Sequence, residues 1–143
     1  MLLGVAEFER ALKRVAAQAD RAARRNVVEA AATLEKLAKA GFEGTHEKGK
    51  PHVGGDRPNV VTGALRRSIH HTPISRLGFA LYSTEVGPST VYARRVELGY
   101  AGSEGRGHDP TRAFPYFSPA YAATRELFPS IAAHNWNRFM LGR

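Results

Sequence analysis

The plainest pattern in the chain lies in its first forty residues. Small and apolar residues recur at Val5, Phe8, Leu12, Ala16, Ala19, Ala23, Val27, Ala30, Leu34 and Ala38. The steps run 3, 4, 4, three times over. That is an eleven-residue repeat, close to the natural period of a straight α-helix. Neither Pro nor Gly interrupts the row, alanine is frequent within it, and Gly41 is placed to cap its end. The pattern predicts one long helix over residues 1–40. Its striped part, Val5 to Ala38, spans roughly 50 Å at 1.5 Å per residue, against a radius of gyration of about 14–15 Å for a compact domain of this size. Either it bends or breaks near Arg24-Arg25-Asn26, or a neighbouring subunit completes its stripe. The second is favoured, because an unpartnered apolar stripe is a solubility liability. Leu12, Ala16, Ala19, Ala23, Val27, Ala30 and Leu34 are therefore the expected subunit interface.

Residues 41–60 lose this periodicity. Five Gly and two Pro with balanced charge predict a long flexible loop. Its histidines, His46 and His52, lack a nearby third ligand and are weak metal candidates. Beyond it, Thr62 reads as an N-cap opening one or two helical turns. Ile69 to Ile74 then reads as a strand, Ser75-Arg76-Leu77-Gly78 as a turn, and Phe79 to Val86 as a second strand ended by Gly87-Pro88. Ser89 or Thr90 can cap a short helix from Val91 to Leu98, with Gly99 as its stop.

Residues 99–112 form a second glycine-rich loop. Phe114-Pro115-Tyr116-Phe117 is extended, since the residue before proline avoids the helical region. Ser118 and Pro119 suit the N-cap and first position of a last helix running toward Phe139. Pro129, inside that helix, is expected to kink or break it. The fold expected is α+β and a single domain over residues 1–143. It has a long N-terminal helix, the 41–60 loop, and a core over 61–143 with a small antiparallel sheet, short central helices and a C-terminal helix kinked near Pro129.

Composition narrows the function classes. The chain has 143 residues, 43% hydrophobic and 24% charged, an ordinary globular balance. It has no cysteine, which excludes disulfides, a thiol nucleophile and thiolate metal sites. No apolar run approaches the length of about 20 residues that a membrane helix needs, so no membrane partner is expected. The N-terminus lacks a basic region ahead of an apolar one, so no signal peptide is read. The net charge of +8 is spread along the chain rather than gathered in a tail. On the first helix, Arg14, Arg21, Arg24 and Arg25 lie away from the stripe, as a solvated face or as contacts for phosphates or an acidic partner. The spacing has no helix-turn-helix signature, so sequence-specific DNA reading is not expected.

Catalytic constellations are weak. Ser68, His70, His71 and Asp109 make a triad only on paper, without a nucleophile elbow or an oxyanion loop. Adjacent histidines in a strand point to opposite faces. Gly102-Ser103-Glu104-Gly105-Arg106-Gly107 does not lead into a helix as a phosphate cradle should. No enzyme activity, cofactor or metal is expected.

Three short segments, in order, carry a resemblance. Thr62-Gly63-Ala64-Leu65-Arg66-Arg67-Ser68-Ile69 resembles the "T-G-x-L-x-x-S-I" signature of the tail-component or morphogenesis proteins of tailed bacteriophages, encoded among the head–tail joining genes. Val86-Gly87-Pro88 followed by Tyr92-Ala93 and Val96-Glu97-Leu98-Gly99 is similar to the family's "V-G-x … Y-A-x-x-V-E-x-G-T", with Tyr100 where the family has threonine. Ala113-Phe114-Pro115-Tyr116-Phe117-Ser118-Pro119-Ala120 is similar to its "x-x-P-F-x-x-P-A".

The resemblance implies a structural virion protein of the neck or tail end, a tail-completion or tail-terminator ring assembled in the host cytoplasm. It implies a homo-oligomer with hexameric symmetry, docked on adjacent neck and tail proteins. It makes Thr62, Gly63, Leu65, Arg66, Ser68, Tyr92, Ala93, Glu97, Gly99, Pro115, Phe117 and Pro119 structural motif residues. Glu97 falls in the last turn of its helix, where the macrodipole disfavours a carboxylate. It is expected to pair with Arg94, Arg66 or Arg67, holding the Tyr92 helix against the Thr62 turn. The alternative from another class is a basic nucleic-acid-binding accessory protein with non-specific DNA contact.

Overall fold

The structure is a computed structural model describing residues 4–101 and 112–142. Most of the 99–112 loop, including residues 102–107 and Asp109, lies outside the described residues. Helix α1 runs unbroken over Val5–Ala40. Short helix α2 (Ala64–Ser68) leads into strand β1 (Ile69–His71). Strands β2 (Ser75–Gly78), β3 (Leu81–Ser83) and β4 (Val86–Pro88) follow, then α3 (Ala93–Leu98) and α4 (Phe117–Trp136). The α+β class expected from the sequence is the observed one.

The strands differ from the sequence reading. They form two separate antiparallel pairs, β1 with β4 and β2 with β3. The register pairs His70 with Gly87 in the first and Arg76 with Tyr82 in the second. Ser75–Gly78, read as a turn, is a strand, and the reversal falls at Phe79-Ala80, where Ala80 adopts φ 51°. Gly87 and Pro88, read as a stop, belong to β4.

The chain divides into two compact units. The first holds α1 as far as Ala30, residues 73–84 and residues from Leu127 onward. Its organising group is Asp20. The Asp20 carboxylate accepts the Tyr82 hydroxyl at 2.7 Å, the Ala80 N–H at 2.9 Å and Arg76 Nη2 at 3.2 Å. These partners, the Tyr82 hydroxyl first, hold the Asp20 carboxyl below its ordinary range, and the same bond raises Tyr82. Nine residues on, Glu29 lies on the other side of α1, since nine steps of about 100° amount to two and a half turns. It accepts from Arg25 Nε at 2.7 Å and from Asn135 Nδ2 of α4 at 3.0 Å. Asn135 is fully buried.

The second unit comprises Ala31–Thr72 and Glu85–Glu126. Its core is Ala38, Leu65, Ile69, Ala93, Tyr116 and Ala120, with Leu34, Leu37, Phe42, Val96 and Phe117 packed around them. Phe42 and Tyr116 meet ring to ring at 5.0 Å. Burial pushes the Tyr116 hydroxyl up to about 12. The 41–60 loop is tied rather than open. Asn59 donates to the carbonyls of Glu43 and Val53 and accepts the Val53 N–H, while Val60 N–H reaches the Gly44 carbonyl.

Helix α4 is continuous across Pro129, so of the kink or break expected there the break does not occur. A π-helical turn follows at Asn137–Leu141.

Candidate docking site

The three signature segments converge in the second unit. Leu65 and Ile69 from the first, Ala93 from the second, and Tyr116 and Ala120 from the third form its buried cluster. The junction at the centre of this cluster has no signal in the sequence spacing.

Helix geometry leaves the first N–H groups of α4 without intrahelical acceptors. Glu97 supplies them. Its Oε2 accepts the N–H groups of Tyr116 at 2.8 Å and Phe117 at 2.9 Å, and its Oε1 accepts both the N–H and the hydroxyl of Ser118. The expectation of an arginine partner is thus corrected: Arg66, Arg67 and Arg94 form no ion pair with it, and the positive end of the α4 dipole takes that role. The link holds α3 to the start of α4, not to the Thr62 turn. Burial opposes ionisation of Glu97, but the amides of Phe117, Tyr116 and Ser118 and the Ser118 hydroxyl outweigh it, and its pKa lies below the ordinary value. Ser118 is not the N-cap, because the helix already starts at Phe117, with Pro119 two positions further in.

The N-cap expected at Thr62 is also displaced by one residue. Gly63 caps α2 at φ 74°, in the left-handed region, with the Arg67 guanidinium lying over it. Thr62 Oγ1 accepts the Ala64 N–H at 3.3 Å instead. Likewise α3 starts at Ala93 behind Tyr92, and Gly99 ends it at φ 73°. Ser68 donates to the Leu65 carbonyl, His70 Nδ1 lies 2.7 Å from the Ser68 carbonyl, and His71 Nδ1 lies 2.7 Å from Glu35 Oε2. The hydroxyl and the two imidazoles thus serve the main chain and a structural carboxylate.

Outside this core the signature residues border an open cavity of about 250 Å³. Val60, Val61, Leu65, Val96 and Phe114 give it apolar walls, and Tyr92 and Arg66 stand at it. The His52 ring stacks on Phe114 at 4.1 Å, so the 41–60 loop contributes one wall. That stack, and the Asn59 bridge behind it, were missed by sequence reasoning; an isolated His and Asn in a glycine-rich loop carry no spacing signal. An adjoining cleft shares Val60, Gly63 and Arg66 with the cavity and adds Lys39 and Arg67. Pro115 and Phe117 are half-buried and Pro119 is exposed.

The stripe of α1 divides. Leu34 is half-buried and packs against the core of the second unit. Ala16, Ala19, Ala23, Val27 and Ala30 are half-buried, and Ala22, off the expected row, is the buried position among them. Leu12 is exposed, as are Val5, Phe8 and Val15. On the basic face Arg14, Arg21 and Arg24 are exposed, whereas Arg25 is paired with Glu29. Among the described residues no helix is long and apolar enough to cross a membrane, and no three metal-ligating side chains cluster.

Compared with known protein families, residues 6–99 match the family described as "Bacteriophage HK97-gp10, putative tail-component". No curated protein and no solved structure matches the chain.

Proposed function

The chain belongs to the HK97-gp10 family of bacteriophage tail components, and from that premise we propose that it is a ring-forming subunit of the neck or tail end that helps to join head and tail. A tail component is a part of the virion and meets other tail proteins. The finer reading is a tail-completion or tail-terminator ring, hexameric, assembled in the host cytoplasm, with a structural and non-catalytic role. Each subunit presents one patch to the next, a heterologous contact that closes into a ring. The observation that carries this reading is the row Val5, Phe8, Leu12 and Val15 on α1, each about half or more exposed. Large apolar residues in such a row are a docking face or a liability. Arg14, Arg21 and Arg24, also exposed, are the residues that would meet DNA phosphates should the ring enclose the genome.

The test is a phage carrying a disrupted gene for this protein, viewed by electron microscopy. Full heads beside unjoined or abnormally ended tails are expected. Joined, infectious particles lacking the protein would overturn the role.

A further inference from the structure

The chain carries both halves of one contact. The first half is on α1. Val5, Phe8, Leu12 and Val15 follow the i, i+3, i+7, i+10 spacing of helix-in-groove anchors, and at about 100° per residue they fall within a sector of about 80°. Glu9 lies about 40° beyond the edge of that sector, while Arg10 and Arg14 project on the far side. Val5 is 77% exposed and Phe8 56%. This is a narrow apolar face with a carboxylate on its border.

The second half is the cavity of the signature segments. Its walls are apolar at Val60, Val61, Leu65 and Phe114, and it is open. Its border is cationic. The adjoining cleft brings Arg66 and Arg67 together, beside Lys39, which is paired with Glu35. Burial of the α1 face therefore needs an apolar recess with a basic rim, and the recess needs apolar side chains with an acidic flank. A surface and a complementary recess at different places on one chain make a heterologous contact, the kind that propagates around a ring.

We infer that the cavity bounded by Val61, Leu65 and Phe114 receives the N-terminal turns of α1 from a second copy of this chain, with Phe8 inserted and Glu9 set against Arg66 and Arg67. This rests on the ring reading above and deepens it by naming the two surfaces that meet.

The experiment places the photoreactive amino acid benzoylphenylalanine at Phe8 in one batch of protein and mixes it with isotopically labelled wild-type protein. After irradiation the adducts are mapped by mass spectrometry, with association followed by sedimentation. Adducts joining the two batches at Val60–Leu65 or Tyr92 are expected. Adducts at other surfaces within assembled protein overturn the pocket assignment while leaving ring formation standing. A wild-type protein that stays monomeric at concentrations where the full chain is soluble, with no inter-batch adduct, overturns both. A charge exchange gives a second reading. Glu9→Arg should weaken association about fivefold, the scale of one exposed pair, and Arg66→Glu in the same chain should restore it. Weakening without restoration means that Glu9 does not face Arg66.

Discussion

Glu97 and Ser118, 21 residues apart, are joined twice: one carboxylate oxygen accepts both the backbone N–H and the hydroxyl of the serine. The other oxygen takes the two preceding amides. One side chain at the end of α3 thereby fixes where α4 begins, and with it the Phe114 wall of the cavity.

Glu97→Gln should lower stability by about 2 kcal/mol, the scale of hydrogen bonds to a charged group. Arg66→Gln should melt like wild type, since no ion pair joins it to Glu97. Because the folded-state pKa of Glu97 lies below its ordinary value, its contribution is complete above the usual carboxyl range. It is lost as pH falls through the folded-state pKa. Urea unfolding of both variants at neutral and acidic pH checks the assignment, and the difference between Glu97→Gln and wild type should shrink in acid.

Gly63→Ala should cost about 1 kcal/mol or more. Gly63 has φ 74°, in the left-handed region that an L side chain occupies at a cost, and a Cβ there would meet Arg67 Nη1 at 2.7 Å. Arg67 can swing aside, so the backbone cost should dominate. A second change, Arg67→Ala, should leave the Gly63→Ala penalty largely intact in a urea series.

Asp20→Ala should loosen the β2–β3 hairpin without unfolding the second unit. The Ala80 N–H, held by Asp20 at 2.9 Å, should lose hydrogen-exchange protection first, and amides near Ile69 should keep theirs. Equal loss at both would show that Asp20 supports more than the hairpin.

Much of this architecture was legible in the residues. The 3-4-4 row gave α1, because helix propensity and periodicity agree over its whole length. Gly99 marked the end of α3 because a positive φ suits glycine. The failures share a cause. Ser75–Gly78 looks like a turn locally, yet it pairs as a strand beside a reversal held by Asp20, 60 residues from Ala80. Glu97 looks badly placed against its own helix dipole, yet its partner is the opposite pole of another helix. Of the buried positions of α1, Ala38 lies on the predicted row, whereas Ala22 and Ala31 depart from it for a similar reason. Asp20 and Glu29 engage neighbours on opposite sides of α1, and no single-stripe pattern encodes that.

Assembly should be apolar in character. Leu12→Asp should reduce self-association by light scattering, and raising salt from low to moderate concentration should change wild-type assembly little. Binding through Arg14, Arg21 and Arg24 to phosphates would instead fall steeply over that range. A steep fall in assembly would favour the nucleic-acid reading.

The most direct measurement is electron cryo-microscopy of purified virions at the junction of head and tail. A closed ring whose density is fitted by this chain is expected, with successive copies in contact through α1. A virion in which the junction is complete and this chain is absent, or is found only with the packaged DNA, would contradict it.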